Sequence, residues 1–119
     1  MVKPFQGLIK ASDMGAHMFS GIPGASARFV RGDDRGLAVN LAISTYPPGA
    51  SAPEHRHPEG QVFVVWQGRG VYSVDGVEVL AEPGDVVVVP PNALHGFRVD
   101  GDVALRHVGL LDGAHTLFQ

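Results

Sequence analysis

Three histidines and a glutamine are the residues of this sequence whose types and spacing could do chemistry. The segment HRHPEGQ contains His55, His57 and Gln61, and His95 follows a Pro-Pro-Asn turn later in the chain. Residues two apart on a β-strand point to the same face, so the strand interpretation makes His55 and His57 aim together. Gln61 returns to that face if the extended chain resumes after the intervening turn. Neutral imidazole is the commonest protein ligand for transition metals, so the pattern predicts a metal site, with idle loop histidines as the alternative.

Alternation along the neighbouring strands predicts what else would line a cavity beside these residues. If the glutamine faces inward, Phe63 does so too, and Phe97 shares a face with the last histidine. The two rings would give an apolar lining suited to a small organic ligand, unless they simply pack in the core. Tyr72 and Asn40 are weaker candidates for the same pocket.

The last strand offers two catalytic candidates on opposite faces. If Val103, Leu105 and His107 face inward, the imidazole lies in the cavity and could act as an acid or base near neutral pH. If Arg106 faces inward instead, its guanidinium could bind a substrate carboxylate through two hydrogen bonds. The alternation by itself favours neither.

Three further polar residues are expected to take no part. Glu59 shares strand parity with the glutamine but falls in a Pro-Glu-Gly turn, so we expect it to face solvent and not a metal. His17 and His115 lie near the termini without a spacing partner, and both are interpreted as surface residues.

Short strands between glycine and proline turns must position all these residues. The 119 residues include 16 glycines and 9 prolines, which suits many strands and tight turns. Asp75-Gly76 is a two-residue hairpin signal. The predicted strands are 37–46, 61–66, 71–75, 77–81, 86–89, 95–99 and about 103–110. Such spacing predicts an antiparallel sandwich or barrel, with the segment before Arg28 as an arm over the barrel or over a partner subunit.

Two spaced motifs resemble those of the cupin superfamily. The residues that match them are Gly49, His55, His57, Gln61 and Gly68 in the first motif, and Gly84, Pro90, Pro91 and His95 in the second. Asn92 stands where a turn glycine is usual, Val99 where an asparagine often closes the motif, and Gln61 where the family usually has glutamate. The resemblance implies an all-β fold, a small jelly-roll-like antiparallel β-barrel. It also implies a single domain over 1–119, with 1–27 as an arm or extra strand and 28–119 as the barrel.

The same resemblance implies a ligand set and a reaction class. His55, His57, Gln61 and His95 would bind one divalent ion, which could be Mn, Fe, Ni, Co or Zn. The neutral amide leaves the full charge on the metal, which strengthens it as a Lewis acid, and removes a carboxylate that could act as a base. The His-x-His-Pro-x-Gly-Gln run is also similar to that of small cupin hydroxynitrile lyases and cupins that convert unsaturated uronates. We therefore expect a metal-dependent lyase, isomerase or cyclase for a small oxygenated molecule; the alternatives are an Fe- and O2-using dioxygenase and a non-catalytic binding cupin.

Composition and charge limit the partners and the location. The net charge is −3 and no basic run is present, which argues against nucleic acid or an anionic membrane as a partner. The sequence has no cysteine, which excludes thiolate chemistry. No apolar run could span a bilayer and the N-terminus lacks a signal-peptide pattern, so a cytoplasmic protein is expected. An outward Trp66 and the N-terminal arm suggest a homodimer that binds a small-molecule ligand.

Overall fold

Two antiparallel sheets make up the part of the chain that the structure, a computed structural model, describes, which is residues 7–112. The strands are β1 (Ala16–Met18), β2 (Ser26–Arg31), β3 (Val39–Tyr46), β4 (Ser51–His55), β5 (Gln61–Gln67), β6 (Arg69–Val74), β7 (Val77–Ala81), β8 (Val86–Val89), β9 (His95–Asp100) and β10 (Leu105–Asp112). Two short 3-10 turns lie at Ala11–Asp13 and Asp33–Arg35. None of the helical segments between residues 7 and 112 has the length and hydropathy to cross a membrane.

From β3 onward the chain passes back and forth between the two sheets, and only the β6–β7 hairpin keeps two consecutive strands in one of them. The larger sheet has the strand order β1-β2-β3-β10-β5-β8, and the smaller has the order β4-β9-β6-β7. Every pairing is antiparallel. The two sheets pack face to face around one core, which confirms the predicted all-β, jelly-roll-like architecture.

Turn chemistry accounts for the hairpin that the sequence predicted most directly. Asp75 and Gly76 have φ values of +49° and +83°, which the tight connection between β6 and β7 requires. Asn92, with φ +65°, adopts the left-handed conformation in place of a glycine. Both turns precede strands that lie where the alternation placed them.

Several strands lie outside the predicted pattern or differ from it, among them β1, which falls in the segment expected to be an arm or an extra strand. β4 was missed because Pro53 interrupts it, and proline is tolerated there since β4 is the edge strand of its sheet. β2 pairs with β3 from Ser26 to Arg31, so the expected boundary at residue 28 falls inside a strand. β10 begins at Leu105, and Val103 lies in the exposed turn before it.

Aromatic side chains from both sheets meet at the centre of the core. Tyr46 of β3 packs edge-on against Phe97 of β9, with ring centroids 4.7 Å apart. Tyr72 of β6 lies 5.3 Å from Phe97 and 5.5 Å from Phe63 of β5. Tilted and edge-on ring pairs are worth about 0.5–1.5 kcal/mol beyond the apolar area they bury. His107 of β10 packs among these rings, with its ring centroid 4.6 Å from that of Phe63 and 5.1 Å from that of Phe97.

Candidate metal centre and cavity

The structure brings His55, His57 and His95 together at one end of the smaller sheet. The β4–β9 pairing sets His55 opposite His95, and the nitrogen atoms of the three rings that could bind a metal lie within 4.8 Å of one another. A side chain at Gly96 would bring its Cβ to 2.8 Å from the carbonyl oxygen of Ala52, so glycine permits this close approach of the two strands. The cluster runs from an exposed His55 through a half-buried His57 to a buried His95.

The strand argument for His57 does not hold, although the residue reaches the cluster. β4 ends at His55, and His57 lies in the irregular segment that follows. Its ring is oriented by the turn, because its Nδ1 lies 2.9 Å from the carbonyl oxygen of Glu59. The glutamate itself is buried, contrary to the expectation that it faces solvent, since the turn folds back against the barrel.

Each of the three rings makes the same kind of hydrogen bond through Nδ1. The partners are the carbonyl oxygens of Pro53, Glu59 and Ala93, at 3.1, 2.9 and 2.9 Å from His55, His57 and His95. A carbonyl oxygen only accepts, so each Nδ1 carries the proton and donates it. The neutral form of each ring then has an unprotonated Nε2, which is the tautomer that binds a metal, with the second nitrogen held by a hydrogen bond.

Two further features of the histidine cluster are what a bound cation would require. Among the described residues, Nε2 of His95 is the fully buried side-chain nitrogen or oxygen without a hydrogen-bond partner. Gln61 places its Oε1 3.2 Å from Nε2 of His57, so two acceptors approach each other with no proton to share. Burial, with His55 and His57 adjacent, lowers the pKa of His95, which keeps its lone pair available. The three-histidine cluster could therefore hold a metal ion, and Gln61 adds an oxygen.

A mostly apolar cavity of about 320 Å³ opens beside the cluster. Its lining residues are Phe19, Ile22, Phe29, Ala42, Ser44, Tyr46, Ala52, Pro53, His55, His57, Gln61, Phe63, Phe97, His107 and Gly109. The alternation of β5 and β9 thus places Phe63 and Phe97 in the wall, as the sequence predicted. The chain before β2 contributes Phe19 and Ile22, which close one side of the cavity.

The structure decides between His107 and Arg106. His107 is 1% exposed and lines the cavity, whereas Arg106 lies on the outer face with its guanidinium 4.4 Å above the ring of Trp66. Arg106 also donates to the hydroxyl of Thr45 at 3.3 Å. The expectation that this guanidinium could bind a substrate carboxylate in the cavity is therefore corrected, because it belongs to the opposite side of the sheet.

His107 differs from the sequence-based expectation in its protonation. Burial lowers its pKa to about 3, so the ring is neutral near pH 7 and is a weak base. Its Nδ1 lies 2.7 Å from the hydroxyl of Tyr72, and burial raises the pKa of that tyrosine, which keeps the hydroxyl protonated. When the hydroxyl donates to Nδ1, the ring proton is on Nε2. His107 then offers a neutral N–H and not a titrating acid or base.

Two expected pocket residues lie behind the wall instead of in it. Tyr72 does not line the cavity but supports His107 from behind. Asn40 is fully buried, and its amide oxygen accepts a 2.8 Å hydrogen bond from the backbone N–H of Gly32, so it stabilises a turn. His17 is exposed and lies against Phe29, and His115 falls outside the described residues.

Sequence reasoning missed Ser44 and Tyr46, which line the cavity from β3. Burial raises the pKa of Tyr46 to about 12, with a smaller opposing effect from its hydrogen bond to Ser44. Both residues are inward on β3, whereas alternation alone would have placed the apolar face of Leu41 and Ile43 inside, so this strand carried no signal for them. They add two hydroxyl groups to a wall whose other polar side chains are those of His55, His57, Gln61 and His107.

Comparison with known proteins agrees with the fold and the cluster. The model of the cupin domain matches residues 42–109, which is more than half of the chain, so this protein belongs to the cupin family. The recognition of a cupin from its two motifs is thereby confirmed.

The curated relatives include two dioxygenases. Gentisate 1,2-dioxygenase of Ralstonia sp is 32% identical over 76 residues, which are 63% of this chain and 21% of that protein. Acireductone dioxygenase of Bacillus thuringiensis is 36% identical over 61 residues, or 44% of this chain and 36% of that protein. The chain thus spans about a fifth to a third of the length of these relatives.

Solved structures share the fold along nearly the whole chain. An RmlC-like cupin from Shewanella frigidimarina has a TM-score of 0.80 at 19% identity, covering 97% of both chains. A predicted oxalate decarboxylase from Thermotoga maritima has a TM-score of 0.77 at 19% identity, covering 89% of this chain and 98% of that one. At these identities the likeness concerns the fold alone.

Proposed function

We propose that this protein is a metal-dependent lyase, isomerase or cyclase that acts on a small oxygenated organic molecule in the cavity beside the histidine cluster. The donor set carries the proposal. It consists of three imidazoles that offer Nε2 and one neutral amide oxygen, and no carboxylate occurs among the described residues that line the cavity.

The donor set suits a divalent ion such as Mn, Fe, Ni, Co or Zn, held by His55, His57, His95 and Gln61. When bound, such an ion supplies Lewis acidity, and four neutral ligands leave its full positive charge available to a substrate oxygen. The chain's own contribution is to hold the three rings in the tautomer that binds a metal, through the hydrogen bonds at Nδ1.

The cavity wall restricts the class of substrate. A volume of about 320 Å³ suits a small molecule, and neither arginine nor lysine occurs among the described lining residues. A substrate carboxylate would therefore find a positive charge only at a metal held by the histidine cluster. Elsewhere in the cavity it would have no counter-charge. The apolar rings of Phe63 and Phe97 favour a substrate with a hydrocarbon or aromatic body and one oxygen function directed at the cluster.

His107 is the residue that we assign to orient the substrate. Its neutral ring lines the cavity, and its Nε2–H can donate to a substrate carbonyl, hydroxyl or enolate oxygen. A buried neutral donor stabilises developing negative charge on oxygen without needing to change its own protonation state. Tyr72 positions this donor by fixing the tautomer.

An oxygen-using dioxygenase is the second candidate, because both curated relatives described above are named dioxygenases. Gln61 disfavours it, since the amide cannot take up a proton from a substrate as a carboxylate could. Iron would be the metal expected for that reaction.

One experiment separates the two candidates. Purified protein would be loaded separately with Fe(II), Mn(II), Ni(II), Co(II) and Zn(II) and given a panel of small hydroxy, keto and enol compounds. Product formation would be followed by NMR under nitrogen and, in parallel, oxygen uptake would be followed in air. We expect turnover under nitrogen with more than one metal. Turnover that requires iron and consumes oxygen in proportion to product would overturn the proposal in favour of the dioxygenase.

A further inference from the structure

One glycine in the cavity wall lies where neither a turn nor a helix end requires it. Gly109 is in the middle of β10, an interior strand of the larger sheet, and lines the cavity. A glycine inside a strand costs stability, because it loses more conformational freedom on folding than other residues and has no side chain to pack. Such a glycine often marks a bulge, a close approach of another backbone, or a place that a ligand approaches.

The geometry around Gly109 shows neither a bulge nor a close backbone. Gly109 pairs in register with Ala42 of β3 and Phe63 of β5, and the irregularity between β10 and β5 lies nearer the start of β10. Its backbone is not in the left-handed conformation. A Cβ atom at Gly109 would lie 3.5 Å from Nε2 of Gln61 and 3.5 Å from the ring of Phe63, which are ordinary contacts with side chains. Alanine would therefore fit at this position.

The glycines inside β6 and β9 are different, because packing requires them. A Cβ atom at Gly70 would lie 2.8 Å from the ring of Tyr72. One at Gly96 would lie 2.8 Å from the carbonyl oxygen of Ala52. Both distances are shorter than a Cβ atom tolerates. Gly109 has no such constraint, so the remaining reason for a glycine is the space that it leaves in the cavity.

Gly109 and Ala42 together form a patch of wall without large side chains, which we call the cavity floor. The two residues are register partners in adjacent strands, and the same cross-strand row continues to Phe29 of β2 on one side and to Phe63 of β5 on the other. All four residues line the cavity. A small apolar body can therefore lie on the cavity floor between two phenyl rings.

Polar groups lie at both ends of the cavity floor. One inward row away on β10, His107 pairs with Ser44 of β3, and these two residues, which we call the polar end, are 1% and 4% exposed and line the cavity. One inward row away in the other direction, β10 pairs with Gln61 beside the histidine cluster. A rise of about 3.3 Å per residue puts the backbones of the two outer rows about 13 Å apart. Since the amide of Gln61 reaches over the cavity floor, the remaining gap fits a body the size of a benzene ring.

The polar end offers hydrogen bonds but no charge. The hydroxyl groups of Ser44 and Tyr46 share a hydrogen bond, and a serine hydroxyl can form more than one. The Nδ1 atom of His107 is occupied by the hydroxyl of Tyr72, so its neutral ring offers the Nε2–H to the cavity. Buried groups of this kind are normally hydrogen-bonded, and an uncharged hydroxyl or carbonyl oxygen would satisfy them without a buried charge.

We propose that Gly109 limits the size of the substrate and that Ser44 and His107 bind a second, uncharged oxygen function of it. The substrate is then a small ring-shaped molecule with one oxygen at the histidine cluster and a hydroxyl or carbonyl group at the opposite end. This inference rests on the proposed function, because the oxygen at the cluster is the one that reacts there. Gly109 and Ser44 are in this sense specificity-determining residues.

The first test measures equilibrium binding at the polar end, with Zn(II)-loaded protein under nitrogen. The probes are hydroquinone and 4-methylphenol, which have the same shape and differ in one hydroxyl group, and NMR titration gives each Kd. Wild type should bind hydroquinone about threefold or more tightly, the effect of one hydrogen bond. Ser44→Ala should abolish this preference, and Thr45→Val, which removes a hydroxyl from the outer face of the same strand, should keep it.

The proposal would be overturned if wild type bound neither probe or showed no preference for hydroquinone. A preference that persisted in Ser44→Ala would overturn it equally, because the second oxygen would then be bound elsewhere.

The second test replaces the glycine. Gly109→Ala should raise the Tm by about 2–5 °C, because alanine fits the strand and restricts the unfolded chain. The same variant should bind 4-methylphenol about threefold more weakly and Gly109→Val about tenfold more weakly, since the added carbons fill the cavity floor. Val108→Ile is the matched control, because it adds one carbon on the outer face of β10 and should change the Kd less than about twofold.

Opposite signs of the two effects in Gly109→Ala distinguish a glycine kept for a ligand from one required by the fold. A lower Tm or a loss of zinc in Gly109→Ala would overturn the proposal, as would unchanged probe binding in Gly109→Val. The proposed function fails separately. If the probe preferences appear and no compound is turned over, the polar end stands and the reaction is refuted; turnover without either preference gives the reverse result.

Discussion

Acid should destabilise this protein through His107, whose ring is buried in the barrel. Burial lowers its pKa to about 3 in the folded state, whereas the ordinary value of 6.5 applies in the unfolded chain. Between these two values the unfolded state binds more protons, so the free energy of unfolding falls as the pH falls. The stabilisation is complete above about pH 6.5 and is lost progressively toward pH 3. Each pH unit in this window costs about 1.4 kcal/mol, or about 3 kcal/mol between pH 8 and pH 4.5.

The measurement is chemical denaturation of metal-free protein at pH 8, 6.5, 5.5 and 4.5. Metal must be removed first, because protons compete with the metal at the histidine cluster and would add their own pH dependence. His107→Gln removes the buried titrating group, and His17→Gln is the matched control at an exposed strand. We expect the control to follow wild type and His107→Gln to show a slope smaller by about 1.4 kcal/mol per pH unit below pH 6.

Slopes and not absolute stabilities decide the outcome. His107→Gln should also be less stable at pH 8, because it disturbs the hydrogen bond to Tyr72 and the packing around it, by about 1–3 kcal/mol. The lowered pKa of His95 contributes to the acid loss in the same direction, but it is common to all three proteins and cancels in the comparison. If wild type and His107→Gln had parallel pH dependences, the buried neutral imidazole and its role as a fixed N–H donor would both be refuted.

Further predictions concern the metal centre. Replacing His57 with alanine should lower the metal bound per chain, measured by elemental analysis, while His17→Ala should not; equal stoichiometry in all three proteins would rule out the cluster as the site. Gln61→Glu should bind a divalent ion more tightly but turn over more slowly, since added negative charge weakens the Lewis acid. A variant that gained both affinity and rate would contradict the Lewis-acid role. Wild-type protein dialysed at decreasing pH should lose its metal below about pH 6, because Nε2 must be unprotonated to bind.

The sequence by itself determined the local features of this protein. The Asp75-Gly76 turn and the alternation of β5 follow from backbone sterics and a period of two, which act over a few residues. The motif spacing around His55 and His95 identified the cupin fold, and with it the convergence of residues 40 positions apart. These features depend on neighbouring residues or on a family motif, so they can be predicted from the sequence without knowing how the sheets pack.

Only the tertiary structure decided which face of each strand is inside. Alternation on β10 puts His107 and Arg106 on opposite faces of the strand but does not say which face points into the core. The packing of the two sheets determines that His107 is inside. The contact of His107 with Tyr72 joins strands 35 residues apart, and no pattern in either strand predicts it. The same applies to Glu59, which a folded-back turn buries. Which strands become neighbours depends on long-range burial, and that free energy is a property of the whole chain and not of any segment.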